Sequence, residues 1–407
     1  MRFLRHSLLA VSASACKQSQ PRLFHGSRMS NFAERAFPPV ISDAIDSLDA
    51  RVAPFMSAEL RKLYGVGGPD ENLIKNQVDN YYLPMFSYLK LLLEMKSTST
   101  EAGAKGSNEP LFIGISAPQG CGKTTMTDMI RFVFAEENKT AVALSLDDFY
   151  LTGVEQEALA ASEKTGDSVN KRPNELLKLR GNAGTHDMAL LDSTMADLRA
   201  GKSNLRLPRY DKSLRGGKGD RAPQEQWDLV NDSPSSQVDI VLFEGWMLGF
   251  DPLNTKELDG GNDGDMAAVN RYLQDPAYAR LHEAFDGWIV VALQDIGFVF
   301  DWRLDAEKRM ISSGKSGMSD ADVQDFVNRF MPAYHAYLPR LHEEGVGPQP
   351  RRLWSYGAAG SHRNTLDMLV PSGIAVDIDG GEKQGKQAPV LKVSIDRQRL
   401  PTDVSLL

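Results

Sequence analysis

The stretch Ile115–Thr125, ISAPQGCGKTT, joins a short apolar run (LFIGIS, 111–116) to a long helical pattern (TTMTDMIRFVFAEEN, 124–138). Two glycines and a lysine at such a junction have a physical use. Glycine lets the backbone come close to a bulky ligand, and a helix that starts there offers N–H groups with no partner inside the helix. Those groups and the helix dipole favour an anion, which the lysine also reaches. The stretch therefore reads as a cradle for phosphate.

Working outward, the chain alternates strand and helix signals. Short apolar runs at 140–146 (TAVALSL), 238–245 (VDIVLFEG) and 287–293 (GWIVVAL) suit parallel strands buried on both faces. The order strand, loop, helix, strand predicts an α/β domain over 111–400 with helices on both sides of the sheet. Within it, residues 117–124 match the P-loop pattern G-x-x-x-x-G-K-[ST], with Ala117 in place of the first glycine. Ala117, Pro118, Gln119, Gly120, Cys121, Gly122, Lys123, Thr124 and Thr125 are the expected nucleotide-binding residues. Lys123 is to reach the outer phosphates of ATP, and the Thr124 hydroxyl is to ligate Mg²⁺. Cys121 stands near a helix N-terminus, which lowers a thiol pKa; the alternative is a small filler side chain.

Acids end two of the strands. LSLDDFY (144–150) closes with Asp147 and Asp148, and VLFEGW (241–246) carries Glu244. Ligands of parallel α/β sheets sit at the carboxyl ends of the strands. Glu244 is the expected Mg²⁺ partner, with Asp147 as a further metal contact. Asp147 or Asp148 is the candidate base for an attacking hydroxyl, the other of the pair having a structural task.

A second anion site is expected from LKLRGNAGTHDMALLDSTMADLRAG (177–201), where Arg180 precedes a glycine-rich helix start with Thr185 as N-cap. The neighbouring His186 and Asp187 are candidate substrate contacts. The segment 202–221 carries seven Lys or Arg against two Asp. Beside a nucleotide site it is expected to clamp a small anion, through Arg209, Tyr210, Lys212 and Arg221. Residues 301–339 read as two helices broken at Gly314–Gly317, with a capping box at Ser319 and Asp322. Arg303, Arg309 and Lys315 could there close as a lid, whereas His335 reads as a packing or surface residue.

The remainder is less specific. Residues 40–96 predict helices that flank the main domain, with Pro84 as a kink, and 97–110 is a polar linker. The first 33 residues carry Arg2, Arg5, Lys17, Arg22 and Arg28 with no acid before Glu34, the composition of a transit peptide; the expected compartment is mitochondrial, with a plastid as the alternative or the cytoplasm for a form that starts at Met29. A formal net charge of −8 argues against a nucleic-acid surface, and no apolar run reaches the roughly 18 residues of a membrane span. Two cysteines, Cys16 and Cys121, allow no intrachain disulfide once a leader is removed.

The motifs GISAPQGCGKTT, LSLDDFY, LRGNAGTHD, PRYDKS with GKGDR, VLFEGWMLGF and WRLDAEKRM…GKSGMSD…FVNRFMPAYHAYLP together resemble the plant and fungal type of D-glycerate 3-kinase, within the uridine-kinase-like and phosphoribulokinase-like P-loop kinases. The resemblance covers roughly residues 70 to 345. It implies a five-stranded parallel core, ATP-dependent phosphorylation of D-glycerate at its 3-hydroxyl, and Asp147 as base. A kinase for another small hydroxyl acceptor (uridine, pantothenate or a sugar phosphate) and a non-catalytic ATP-binding protein are the rival readings.

Overall fold

The computed structural model describes residues 51–62, 70–98, 109–167, 169–258, 264–312, 318–346 and 388–407. The leader, most of the 97–110 linker, Lys315 and the tail run TLDMLVPSGIAVDI (365–378) lie outside the described residues, as does the side chain of Arg309; that run, like PVLKVSI (389–395), which is described, reads from sequence as a candidate strand.

In chain order the strands are β1 (Leu111–Ser116), β2 (Ala141–Ser145), β3 (Lys164–Thr165), β4 (Arg172–Pro173), β5 (Leu205–Leu207), β6 (Tyr210–Asp211), β7 (Asp220–Arg221), β8 (Asp228–Val230), β9 (Ile240–Gly245), β10 (Gly287–Leu293), β11 (Val390–Ile395) and β12 (Pro401–Leu406). Six of them form the main sheet in the order β12-β11-β10-β1-β9-β2. The first five in sequence, β1, β2, β9, β10 and β11, run parallel, and β12 adds an antiparallel edge. The expected five-stranded parallel core is therefore present with one strand more. The fifth parallel strand, β11, and the added edge, β12, both come from the tail.

Residues alternate faces along each strand with period two. Phe112, Val241, Phe243, Trp288 and Val290 enter one buried cluster, and Leu111, Ile113, Ile115, Ile240, Leu242, Ile289 and Val291 enter the other. Both faces are apolar because both are covered. The helix Lys123–Glu136 turns Met126, Met129, Ile130, Val133 and Phe134 inward at helical spacing. The N-terminal helices cover the same face with Val52, Met56, Leu60, Phe86, Leu89 and Leu92. Between the helices Glu71–Gln77 and Leu83–Thr98 the chain makes one π-helical turn, Val78–Tyr82, immediately before Pro84. Gly114 in β1 has a packing reason, since a Cβ there would meet the Trp288 ring at 2.6 Å.

Two expectations change. The region after residue 298 holds three helices, Phe298–Ser312, Asp320–Asn328 and Met331–Glu344, because Pro332 restarts the chain after Phe330. The Ser319–Asp322 capping box is present, and His335 is exposed. The basic segment 202–221 is folded as ribbons, β5 pairing β8 and β6 pairing β7.

Candidate active site

The register of the sheet brings three strand ends level. Ser145 of β2 stands beside Glu244 of β9, and Ser116 of β1 beside Gly245. The loop after β1 lies over these ends. Gly122 caps the following helix with φ 100°, a left-handed conformation suited to glycine, and nothing stands within 4 Å of where its Cβ would be. Gly120 also has positive φ, 80°, and an added Cβ would lie 2.8 Å from Trp302 Cβ. Ala117 is fully buried and is absent from the residues of positive φ, so an L-residue serves in the first loop position.

Lys123 donates to the carbonyls of Ala117 at 3.1 Å and Pro118 at 3.3 Å, and its Nζ is 3.9 Å from Glu244 Oε2. That carboxylate oxygen is buried and has no hydrogen-bond partner. Burial raises the Glu244 pKa, with the Lys123 charge opposing. At Cys121 the small-filler reading holds. Its side chain is buried in the apolar cluster, and burial raises its pKa despite Lys123. The thiol is a filler residue, since desolvation outweighs the helix terminus.

Of the two aspartates, Asp148 has the structural task. It caps the turn Leu146–Phe149 by accepting from Ser145 N, pairs with Arg209 Nη1 at 2.7 Å and accepts from Tyr210 N. Asp147 faces the other way. Its Oδ2 is 2.5 Å from Lys212 Nζ, and its Oδ1 accepts from the Tyr150 hydroxyl at 2.7 Å. Burial works to raise its pKa, but Lys212 and Tyr150 outweigh it and bring the value down to about 2. Asp147 is a carboxylate throughout the neutral range.

Tyr150 is the hub that sequence reasoning missed. Its ring stacks on His186 at 4.9 Å and meets Tyr210 edge-on at 5.4 Å, and its carbonyl accepts from Arg221. Tyr210 in turn carries the Arg180 guanidinium, 5.6 Å from its ring centre. The available signal was local: a Tyr three residues after Asp147 returns to the same side of a tight turn.

The helix Met188–Arg199 starts two residues later than expected. Asp187 is its N-cap, accepting from Leu190 N at 2.9 Å, and pairs with Arg221 at 2.8 Å. Thr185 instead closes the glycine loop, accepting from Gly181 N and donating to Asn182 O. Arg209 is engaged by Asp148 and Asp228, so its position joins the β5–β8 ribbon to β2 rather than facing a ligand. Arg180 donates to the carbonyls of Gly217 and Lys218 and so braces the β6–β7 ribbon. Arg303 pairs with Glu307 on its own helix.

His186 is buried, and desolvation holds its pKa near 4, so the ring is neutral. Its tautomer follows from its neighbours. Gly184 N–H donates to the Tyr278 hydroxyl oxygen at 2.9 Å, and the assignment that also gives the buried phenol proton an acceptor has it donated to His186 Nδ1, also at 2.9 Å. Nε2 then carries the ring hydrogen. Nε2 of His186, Nε of Arg221, Oδ1 of Asn182 and Oε2 of Glu244 are all buried without partners. Polar groups of this kind are rare in folded proteins and call for an explanation. Three of these four belong to the segments that meet around Tyr150, and the fourth faces Lys123.

A parallel sheet, a glycine-lysine loop between its first strand and a helix, and acids at neighbouring strand ends define the P-loop kinase class. Comparison with known proteins narrows the class. The signature of the Phosphoribulokinase / Uridine kinase family matches residues 112–255. A chloroplastic D-glycerate 3-kinase of Arabidopsis thaliana is 40% identical over 284 residues, covering 69% of this chain and 59% of that protein. An uncharacterized kinase of Schizosaccharomyces pombe, mug58, is 35% identical over 264 residues, covering 63% of this chain and 91% of that protein. The structure of a D-glycerate 3-kinase from Cryptococcus neoformans superposes with a TM-score of 0.57 at 24% identity, covering 79% of this chain and 99% of that one, a likeness of fold. The chain belongs to the phosphoribulokinase/uridine kinase family. It spans about three-fifths of the plant relative's length.

Proposed function

We propose that this protein is an ATP-dependent kinase that phosphorylates the 3-hydroxyl of D-glycerate, giving 3-phosphoglycerate and ADP. The observation that carries the reading is the setting of Asp147. It is an ionised carboxylate at a strand end beside the phosphate loop, held from both sides by Lys212 and Tyr150. The plant relative's name supports the acceptor.

Each part has a task. The backbone from Gly120 to Thr125 and Lys123 hold the phosphates of ATP. Mg²⁺ fits a site of this kind, because Glu244 offers a buried oxygen without a partner. Thr124, Glu244 and Asp147 would be the protein partners of an ion that arrives with the nucleotide. The ion neutralises charge on the phosphates when bound. Asp147 orients the acceptor hydroxyl and takes its proton as the oxygen bonds to the γ-phosphorus and the bond to ADP breaks. A carboxylate of such low pKa is a weak base, so the proton moves late, in keeping with a loose phosphoryl transition state. Arg180, Lys212, Arg221 and the Nε2–H of His186 are the groups for the acceptor's carboxylate and 2-hydroxyl. The acidic leader-free body and the acid-poor first 33 residues support import into an organelle, a mitochondrion or a plastid.

The test is an acceptor screen with purified protein and MgATP. D-Glycerate should release ADP in proportion to 3-phosphoglycerate formed, and glycerol, which lacks the carboxylate, should not. Turnover of uridine, pantothenate or a sugar phosphate in preference to glycerate would replace the acceptor. A fluorescent fusion of residues 1–33 that stays in the cytosol would remove the organellar reading.

A further inference from the structure

The tail of the chain reaches the phosphate loop. Between β11 and β12 the turn Asp396–Leu400 is closed by Arg399 N to Asp396 O at 3.0 Å, Asp396 N to Leu400 O at 3.0 Å and Leu400 N to Asp396 Oδ1 at 2.8 Å. Within it Arg399 has φ 61°, a left-handed conformation that non-glycine residues rarely take. From there its Nε donates to Gly120 O at 2.8 Å, and its guanidinium lies 4.8 Å from the centre of the Trp302 ring. Trp302 is buried, donates its indole N–H to Arg397 O at 2.7 Å, and leaves no room for a Cβ on Gly120. Gly120 is therefore held by Trp302 on one side and by Arg399 through its carbonyl.

A peptide group is planar, and in its trans form C=O and N–H point in opposite directions. Fixing Gly120 O toward Arg399 aims the Cys121 N–H the opposite way. That N–H makes only a long contact inside the loop, 3.5 Å to Pro118 O, so its direction depends on how the peptide is held from outside. We infer that Arg399 is a positioning residue for the nucleotide: it sets the Gly120–Cys121 peptide so that the Cys121 N–H faces the phosphates. A residue nearly 280 positions from the loop, beyond the region that matches the family signature, is thus part of the phosphate site. The inference rests on the reading of 117–125 as the phosphate cradle and adds a residue to it.

The test measures Kd for MgADP by calorimetry, with the thermal midpoint recorded alongside. Arg399→Gly is the informative variant, because glycine suits the left-handed backbone and removes the side chain without disturbing the turn. It should weaken MgADP binding about fivefold to tenfold, the worth of one lost hydrogen bond that orients a donor, with the thermal midpoint unchanged or higher. Arg399→Ala should lose the same affinity, and Arg399→Lys should recover part of it. A folded Arg399→Gly protein with wild-type MgADP affinity would overturn the inference. Lys123→Ala is the control that separates the two readings: if it too binds MgADP normally, the cradle itself is misassigned, whereas its loss of binding with none in Arg399→Gly rejects Arg399 alone.

Discussion

Asp147 and Lys123 have separable roles, and single substitutions should separate them. Asp147→Asn keeps the size of the side chain and removes the charge that Lys212 and Tyr150 hold. It should lower kcat about 10²- to 10⁴-fold while ATP and glycerate still bind. A folded Asp147→Asn enzyme with near-normal kcat would reject the base. Tyr278→Phe tests the acceptor side at one remove. Tyr278 is assigned as the donor to His186 Nδ1 across 2.9 Å, and without that hydroxyl the ring is free to place its hydrogen on either nitrogen. The glycerate KM should rise roughly three- to tenfold with the ATP KM unchanged. Nitrogen NMR of the imidazole checks the cause directly, since the wild-type ring should carry its hydrogen on Nε2. These residues were unequally legible. Lys123, Asp147 and Glu244 stand next to strand ends and could be read from local pattern. Tyr150 was legible only through its spacing to Asp147, and its stacking on His186, 36 positions on, was not; nor was the contact of Tyr278, 92 positions beyond His186.

At the level of elements, the phosphate loop separates two kinds of glycine. Gly120 is confined by Trp302 as well as by its positive φ, whereas Gly122 has positive φ and open space. Gly120→Ala should therefore lower stability by more than the roughly 1 kcal/mol of left-handed strain alone, because a Cβ 2.8 Å from Trp302 must push back buried packing. Gly122→Ala should cost about that strain and no more, yet still weaken nucleotide binding, the space beside it being where a phosphate would approach. Urea midpoints of the two variants, measured beside MgADP affinity, give the comparison; equal midpoints would mean that Trp302 does not confine the loop. The strands β1, β2, β9 and β10 and the loop helix were legible because each is a continuous apolar run or a helical repeat bounded by turn residues. The start at Asp187 was not. Thr185 and Asp187 are both good N-caps by type, and only the closure of Thr185 onto Gly181 and Asn182 decides between them.

Over the whole molecule, the tail completes the sheet, Arg399 completes the phosphate loop, and two buried histidines with a half-buried third couple stability to pH. The strands β11 and β12 were hard to read because a long polar stretch precedes them and β10, the partner on which β11 adds, lies about a hundred residues earlier. Burial lowers His186, His282 and His342 each from the usual 6.5 to about 4, with Lys392 adding to the effect at His342. Between those values the unfolded chain binds protons that the folded protein does not, so stability rises with pH across the window and is lost as pH falls from about 6.5 toward 4. Asp148 and Glu244 have raised pKa values and work in the opposite sense in the carboxylate range. The histidine contribution is on the order of a few kcal/mol in total once the partial exposure of His342 is discounted. Urea midpoints should fall between pH 7 and pH 5, before most carboxylates are protonated. A midpoint that holds steady over that interval would show that the three rings are not kept neutral by the fold, and would remove the basis for placing the hydrogen of His186 on Nε2.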